Sequence, residues 1–198
     1  VAEVSSFQLE GIQEFRPHIC GILNITRDHL DRHGTMENYA AMKSRIFENQ
    51  RDDDYVILNY EDDRVRDFAR LAPSQVIFFS VERRLDRGVF VEDGAILVNI
   101  AGEETEVALL SDLLLRGKHN LENVLCAVAM AWVAGVSAPV IREALRTFRA
   151  VRHRLEEVAL HRDVLYVNDS KGTNPDSTIK ALQSFAQPIV LIAGGRDK

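Results

Sequence analysis

The chain has 198 residues, 46% of them hydrophobic and 27% charged, with a formal net charge of -6. That balance belongs to a folded globular chain and excludes disorder driven by low hydropathy and high charge. The acidity argues against non-specific nucleic-acid binding, and no apolar run reaches the roughly 18 residues of a membrane-spanning helix.

VAEVSSFQLE reads as a strand already under way, running into the polar cluster Glu3-Val4-Ser5-Ser6. Either Ser5 or Ser6 caps a helix there while Glu3 stays solvated, or the carboxylate serves a ligand. A strand is predicted over 19–25. After it, Asn24-Ile25-Thr26-Arg27-Asp28-His29-Leu30-Asp31 offers an imidazole and two carboxylates within a short loop. That set suits a divalent cation or a phosphate-bound metal, and a surface turn with an Asp cap would use the same residues. A helix over 36–49 places Met36, Tyr39, Ala40, Ile46 and Phe47 on one apolar stripe, with Lys43 at its centre. Such a lysine is either desolvated, which favours its neutral amine, or packs its stem and sends its head to water.

A strand over 55–59, a helix over 62–71 and a strand over 76–81 continue the alternation expected of crossovers and a parallel sheet. VFVEDGAILVNI then breaks it, because Asp93-Gly94 is a turn signal between β-rich runs and predicts a hairpin within 88–109. Helices follow over 120–133 and 139–148. The amides of Asn120 and Asn123, three residues apart, share a face and could read a purine edge, whereas helix capping by Asn120 is the simpler use.

The charged stretch TFRAVRHRLE marks a boundary near 150, dividing the chain into 1–150 and 151–198. The second part is predicted as strands over 155–160 and 164–167, a helix over 175–185 and a strand over 189–193. Arg154, just past the boundary, suits a phosphate clamp or an inter-domain salt bridge. In NDSKGTNPDST, Asp169, Lys171 and Thr173 crowd before a helix start. The helix N-terminus and Lys171 favour an anion, and Asp169 suits ribose hydroxyls. Cys20 and Cys126 lie in apolar contexts and read as buried, reduced thiols, which suits a cytoplasmic protein. No GxxxxGK[ST] string occurs, so an ATP-using reading places a phosphate loop upstream of Val1. Both ends interrupt an element, and the chain is expected to be a piece of a longer protein.

EVSSFQLE (3–10), ILNITRDHLDRHG (22–34), YAAMKSRIFE (39–48), GKHNLENVLCAVA (117–129), HRLE (153–156), NDSKGTNPDST (168–178) and LIAGGRDK (191–198) together resemble the Mur ligase family of the bacterial peptidoglycan pathway. They stand in family order and span the chain. Among its branches, SSFQLE and NDSKGTNP resemble the one that joins D-glutamate to UDP-N-acetylmuramoyl-L-alanine. The same strings count against a folylpolyglutamate synthase-like ligase of shared architecture.

The resemblance implies an α/β fold. Residues 1–150 would form the latter part of a central ATPase domain, with a mostly parallel sheet and flanking helices, and 151–198 the beginning of a Rossmann-like C-terminal domain. It implies ATP-dependent amide formation through an acyl phosphate, with two Mg2+ ions and a carbamylated Lys43. Glu3, His29 and carbamylated Lys43 match metal-site positions, while Asn120, Asn123, Arg154 and Asp169 match nucleotide-binding ones, with Asn123 facing adenine. Lys171, Thr173 and Lys198 match positions around D-glutamate, and Lys198 joins Lys43 and His29 as a catalytic candidate. A cytoplasmic monomer is implied. The 198 residues alone are expected to be inactive, and a non-catalytic nucleotide-binding fragment is the other reading.

Overall fold

The computed structural model describes residues 1–115, 117–149, 151–173 and 175–195. The chain opens irregularly rather than as the expected strand. Ser5 then starts helix α1 (Ser6–Leu9) with a capping box: its Oγ accepts from Gln8 N while Gln8 Oε1 accepts from Ser5 N. That reciprocal pairing satisfies helix-end donors locally and competes with extension.

Strand β1 (Ile19–Ile22) is followed by the short helix α2 (Leu30–His33) and by α3 (Met36–Ser44), which tightens into a 3-10 turn over Arg45–Phe47. Strand β1 stops short of the expected residue 25, since Ile25 N donates to Asp62 Oδ2 at 2.8 Å and not to a sheet ladder. Strand β2 (Tyr55–Asn59), helix α4 (Asp63–Asp67), with its 3-10 extension Phe68–Arg70, and strand β3 (Gln75–Ser80) complete the crossovers. The predicted hairpin is β4 (Gly88–Glu92) and β5 (Ala95–Asn99), joined by Asp93 and Gly94 at φ 48° and 77°. Positive φ at both turn residues matches the twist of the strands they connect. A third strand, β6 (Glu104–Leu109), pairs with β5.

Among the described residues these strands form one sheet in the order β1 to β6, parallel from β1 to β4 and antiparallel from β4 to β6. Helix α5 (Lys118–Val133) covers one face, packing Leu125, Val128 and Ala129 on Ile57, Ile77, Val89 and Ile96. The other face packs Val56 and Leu58 against Tyr39, Ala40, Phe47, Val65 and Phe68. With both faces covered, β2 is apolar almost throughout, as parallel strands are. Gly21 lets α5 lie close to β1, because a Cβ there would stand 2.9 Å from Cys126 Sγ. Helix α6 (Ala138–Thr147) packs on β6.

Strands β7 (Glu156–His161) and β8 (Val164–Asn168) pair antiparallel in a sheet of their own, and helix α7 (Pro175–Gln183) follows. The strand expected over 189–193 does not form. Residues 189–195 are irregular, and Val190 and Ile192 are 93% and 95% exposed. A strand needs an edge to pair with, and the segment pairs with neither β7 nor β8.

Candidate active site

The C-terminal ends of β1 and β2 carry the polar residues, the end of an open α/β sheet where ligands bind. After β1, the chain turns at His29, whose φ of 54° lies in the left-handed region. The Asp28 carboxylate holds that turn by accepting from His29 N at 2.9 Å. A non-glycine residue kept in this region costs energy, and such strain gathers at functional sites.

Lys43 sits in the last turn of α3, half-buried, as the apolar stripe around it predicts. Its ammonium lies 5.8 Å from the centre of the Tyr39 ring, one turn back on the same face. Burial pushes the amine below the usual lysine range, and the charges of Glu3 and Asp28 oppose that shift. Glu3, Asp28, His29 and Lys43 thus share one neighbourhood.

Among the described residues, no group of three His, Cys, Asp or Glu side chains is placed to hold a metal ion by itself. The donors near Lys43 are two carboxylates and an imidazole. They fit Mg2+, which keeps several waters and takes one or two carboxylates with substrate phosphates. A carbamate on Lys43 would add one more oxygen donor.

The asparagine pair occupies the first turns of α5. Gly117, at φ 89°, is the cap residue, and Asn120 N donates to Gly117 O at 3.1 Å. Asn120 therefore stands inside the helix and not at its cap, because glycine alone enters this backbone region without strain. Asn120 and Asn123 are both half-buried. Next to them lies a hollow of about 240 Å³ lined by Lys118, His119, Glu122, Lys180, Gln183 and Ser184, which joins α5 to α7. Burial holds His119 below its ordinary range; Lys180 and Arg154 push it the same way, and Asp169 opposes them. Burial raises Glu122, Lys180 and Lys118 oppose the shift, and Glu61 and Asp62 add to it.

Arg154 is exposed on an elbow whose neighbours His153 and Leu155 both have positive φ, 67° and 45°. The elbow is tied to the loop after β8. Leu155 N donates to Asp169 Oδ1 at 3.0 Å, and Lys171 N donates to His153 O at 2.9 Å. The tie sets Arg154 beside the Asp169 loop, His119 and Lys180 line one hollow and His119 feels the charges of Arg154 and Asp169, while Lys171 and Thr173 are exposed on that loop. Lys198 lies outside the described residues.

Several polar residues that join these groups carry no motif of their own. Asp62 accepts from Ile25 N and from Val65 N, tying the loop after β1 to α4. Glu61 accepts from Ser80 Oγ at 2.5 Å and from Val81 N at 3.2 Å. His33 is buried, with Nε2 3.0 Å from Ser6 Oγ. Its one sequence signal is its spacing of four from His29.

With this geometry in place, the likenesses of the chain are informative. The family described as "Mur ligase middle domain" matches residues 1–131. Over all 198 residues the chain is 50% identical to the UDP-N-acetylmuramoylalanine–D-glutamate ligase of Thermoanaerobacter sp. (strain X514) and 50% identical to that of Clostridioides difficile (strain 630). It covers 44% of each, so it spans less than half the length of these relatives. The crystal structure of MurF from Acinetobacter baumannii superposes with a TM-score of 0.71 at 26% identity, over 88% of this chain and 38% of that one.

Proposed function

The chain belongs to the Mur ligase family through its middle domain, and from that premise we propose that the whole protein joins D-glutamate to UDP-N-acetylmuramoyl-L-alanine, using ATP, in peptidoglycan synthesis. The observation that carries this reading is the 50% identity, over all 198 residues, to UDP-N-acetylmuramoylalanine–D-glutamate ligases.

The chemical problem is to bring a carboxylate anion to a polyanionic nucleotide. In this reading the alanyl carboxylate takes the γ-phosphoryl group and becomes an acyl phosphate. ADP leaves, and the neutral D-glutamate amine then attacks the carbonyl carbon, forms the C–N bond, gives up a proton to solvent and expels phosphate. Mg2+ at Glu3 and His29 would supply the charge neutralisation that phosphoryl transfer demands. Arg154 would add a fixed positive charge at the phosphates, Asp169 would accept from the ribose hydroxyls, and Asn120 and Asn123 would meet the base. Lys171, Thr173 and Lys198 would orient D-glutamate.

Lys43 serves as a carbamate in this scheme. Its neutral Nζ attacks carbon dioxide, an N–C bond forms, one N–H proton leaves to solvent, and a carboxylate on a long stem results. Desolvation of the amine supports this use, because only the neutral form is nucleophilic. We carry over a second Mg2+, a monomeric state and a cytoplasmic location from the same family reading. For the 198 residues alone we propose no turnover, since they hold no GxxxxGK[ST] phosphate loop.

The test uses the full-length protein. ADP release should require both UDP-N-acetylmuramoyl-L-alanine and D-glutamate. Lys43→Ala should abolish it, and short carboxylic acids should partly restore it. Full activity of Lys43→Ala without added acid would remove the carbamate role, and ADP release indifferent to D-glutamate would remove the reaction.

A further inference from the structure

His33 is one of the few buried polar side chains, 8% exposed, and the scheme above gives it no task. Its partner Ser6 is 2% exposed, and their 3.0 Å hydrogen bond joins residues 27 apart in sequence. The imidazole also meets two aromatic rings. Phe7 stacks on it at 5.6 Å with an interplanar angle of 11°, and Tyr39 at 5.3 Å and 30°. Phe7 meets the His29 ring edge-on at 4.9 Å, and the other side of the cluster is Tyr39, which faces the Lys43 ammonium.

Three separate segments converge on this one ring. Ser6 and Phe7 open the helix that follows Glu3. His33 ends the short helix that His29 begins. Tyr39 lies one helical turn before Lys43. None of these segments belongs to the sheet, so no strand ladder sets their mutual positions. A four-residue helix such as α2 has little stability of its own and takes its position from side-chain contacts. The bond to Ser6 adds direction to a cluster that stacking alone would leave free to slide. Either tautomer of His33 can make it, because the serine hydroxyl both donates and accepts.

We propose that His33 is a positioning residue that, through Ser6 and the Phe7–Tyr39 stack, holds Glu3, His29 and Lys43 in the mutual geometry that binds the divalent cation. This rests on the metal assignment made above. Groups that orient metal ligands without touching the ion typically change metal affinity by about 10–100-fold when removed.

The experiment titrates Mn2+ into the full-length protein and follows water-proton relaxation, a readout independent of turnover. His33→Phe keeps a stacking ring but loses the bond, and His33→Gln keeps an amide within reach of Ser6. His33→Phe should weaken Mn2+ binding by about 10–100-fold, and His33→Gln should stay within about threefold of the parent. Ser6→Ala should weaken binding like His33→Phe, and the double variant should be no worse than either alone. Lowered thermal stability with unchanged Mn2+ affinity would leave His33 purely structural and overturn the proposal. Parent protein that binds Mn2+ but adds no D-glutamate would sink the functional reading alone, while the His33 comparison would still be decided by the titration. Mn2+ affinity left unchanged by Glu3→Gln would overturn the metal assignment and the role of His33 with it, and would leave the ligase reading to its own test.

Discussion

Asp54 is buried at the start of β2, where Arg16 Nε donates to it at 2.6 Å, His18 Nδ1 lies at 2.8 Å and Arg51 N donates at 2.8 Å. The Arg16 hydrogen bond leads the set that holds its carboxyl far below the ordinary range, against the effect of burial. The sign follows from that depression. Stability from Asp54 is fully present above the unfolded-state value of about 4 and is lost as pH falls toward the folded-state value. Asp54→Asn should lower the thermal midpoint near neutral pH by about 5–10 °C, since it leaves a guanidinium without its buried partner. The gap between variant and parent should narrow as pH falls from about 4 toward 2. A gap that stays constant across that range, measured by calorimetry, would refute the assignment. Lys43 shows what sequence alone conveys at this scale. Its place at the centre of an apolar stripe was legible, but the carboxylates facing it come from Glu3 and Asp28, which only folding brings near. His33 was not legible as more than a repeat of His29, because its partner Ser6 lies far away in sequence.

Helix starts were read well where the cap is a local matter and less well where it is not. Thr35 caps α3 by accepting from Asn38 N, and Asp62 caps α4 by accepting from Val65 N, each a signal within four residues. Helix α5 begins two residues before its expected start, because Gly117 and not Asn120 makes the turn. Gly117 is also confined from outside, as a Cβ there would collide with Ser184 Oγ and stand 3.0 Å from His119 Cε1. Gly117→Ala therefore combines an unfavourable φ with a clash, and should cost about 1–3 kcal/mol of stability. Chemical denaturation checks this, and an unchanged midpoint would show that Ser184, just past α7, does not press on Gly117 in solution. The shortened β1 and the missing strand over 189–193 share one cause. Apolar runs signal burial, but a strand also needs a paired neighbour, and no local pattern supplies that.

Across the whole molecule the two sheets differ in how they are covered. The six-stranded sheet is packed on both faces, and Val56, Ile57 and Leu58 of β2 are fully shielded. Strands β7 and β8 leave Val158, Leu160 and Val164 exposed at 61%, 71% and 54%. Amides of β2 and β3 should thus exchange far more slowly than those of β7 and β8 when the 198-residue chain is followed by hydrogen-exchange mass spectrometry. Equal protection in the two sheets would contradict this division. The sequence by itself determined the α/β class, the order of strands and helices from β1 to α7 apart from the short α2 and the third antiparallel strand β6, the Asp93-Gly94 turn and the family motifs, because periodicity and turn chemistry act within a few residues. Tertiary structure decided which polar groups meet: Ser6 with His33, Asp62 with the loop after β1, Asp169 with the Arg154 elbow, and Glu3 and Asp28 with Lys43. Those encounters join residues from 14 to 40 positions apart. Closing such loops costs entropy that only the packed sheet offsets, so no local signal in the chain can announce them.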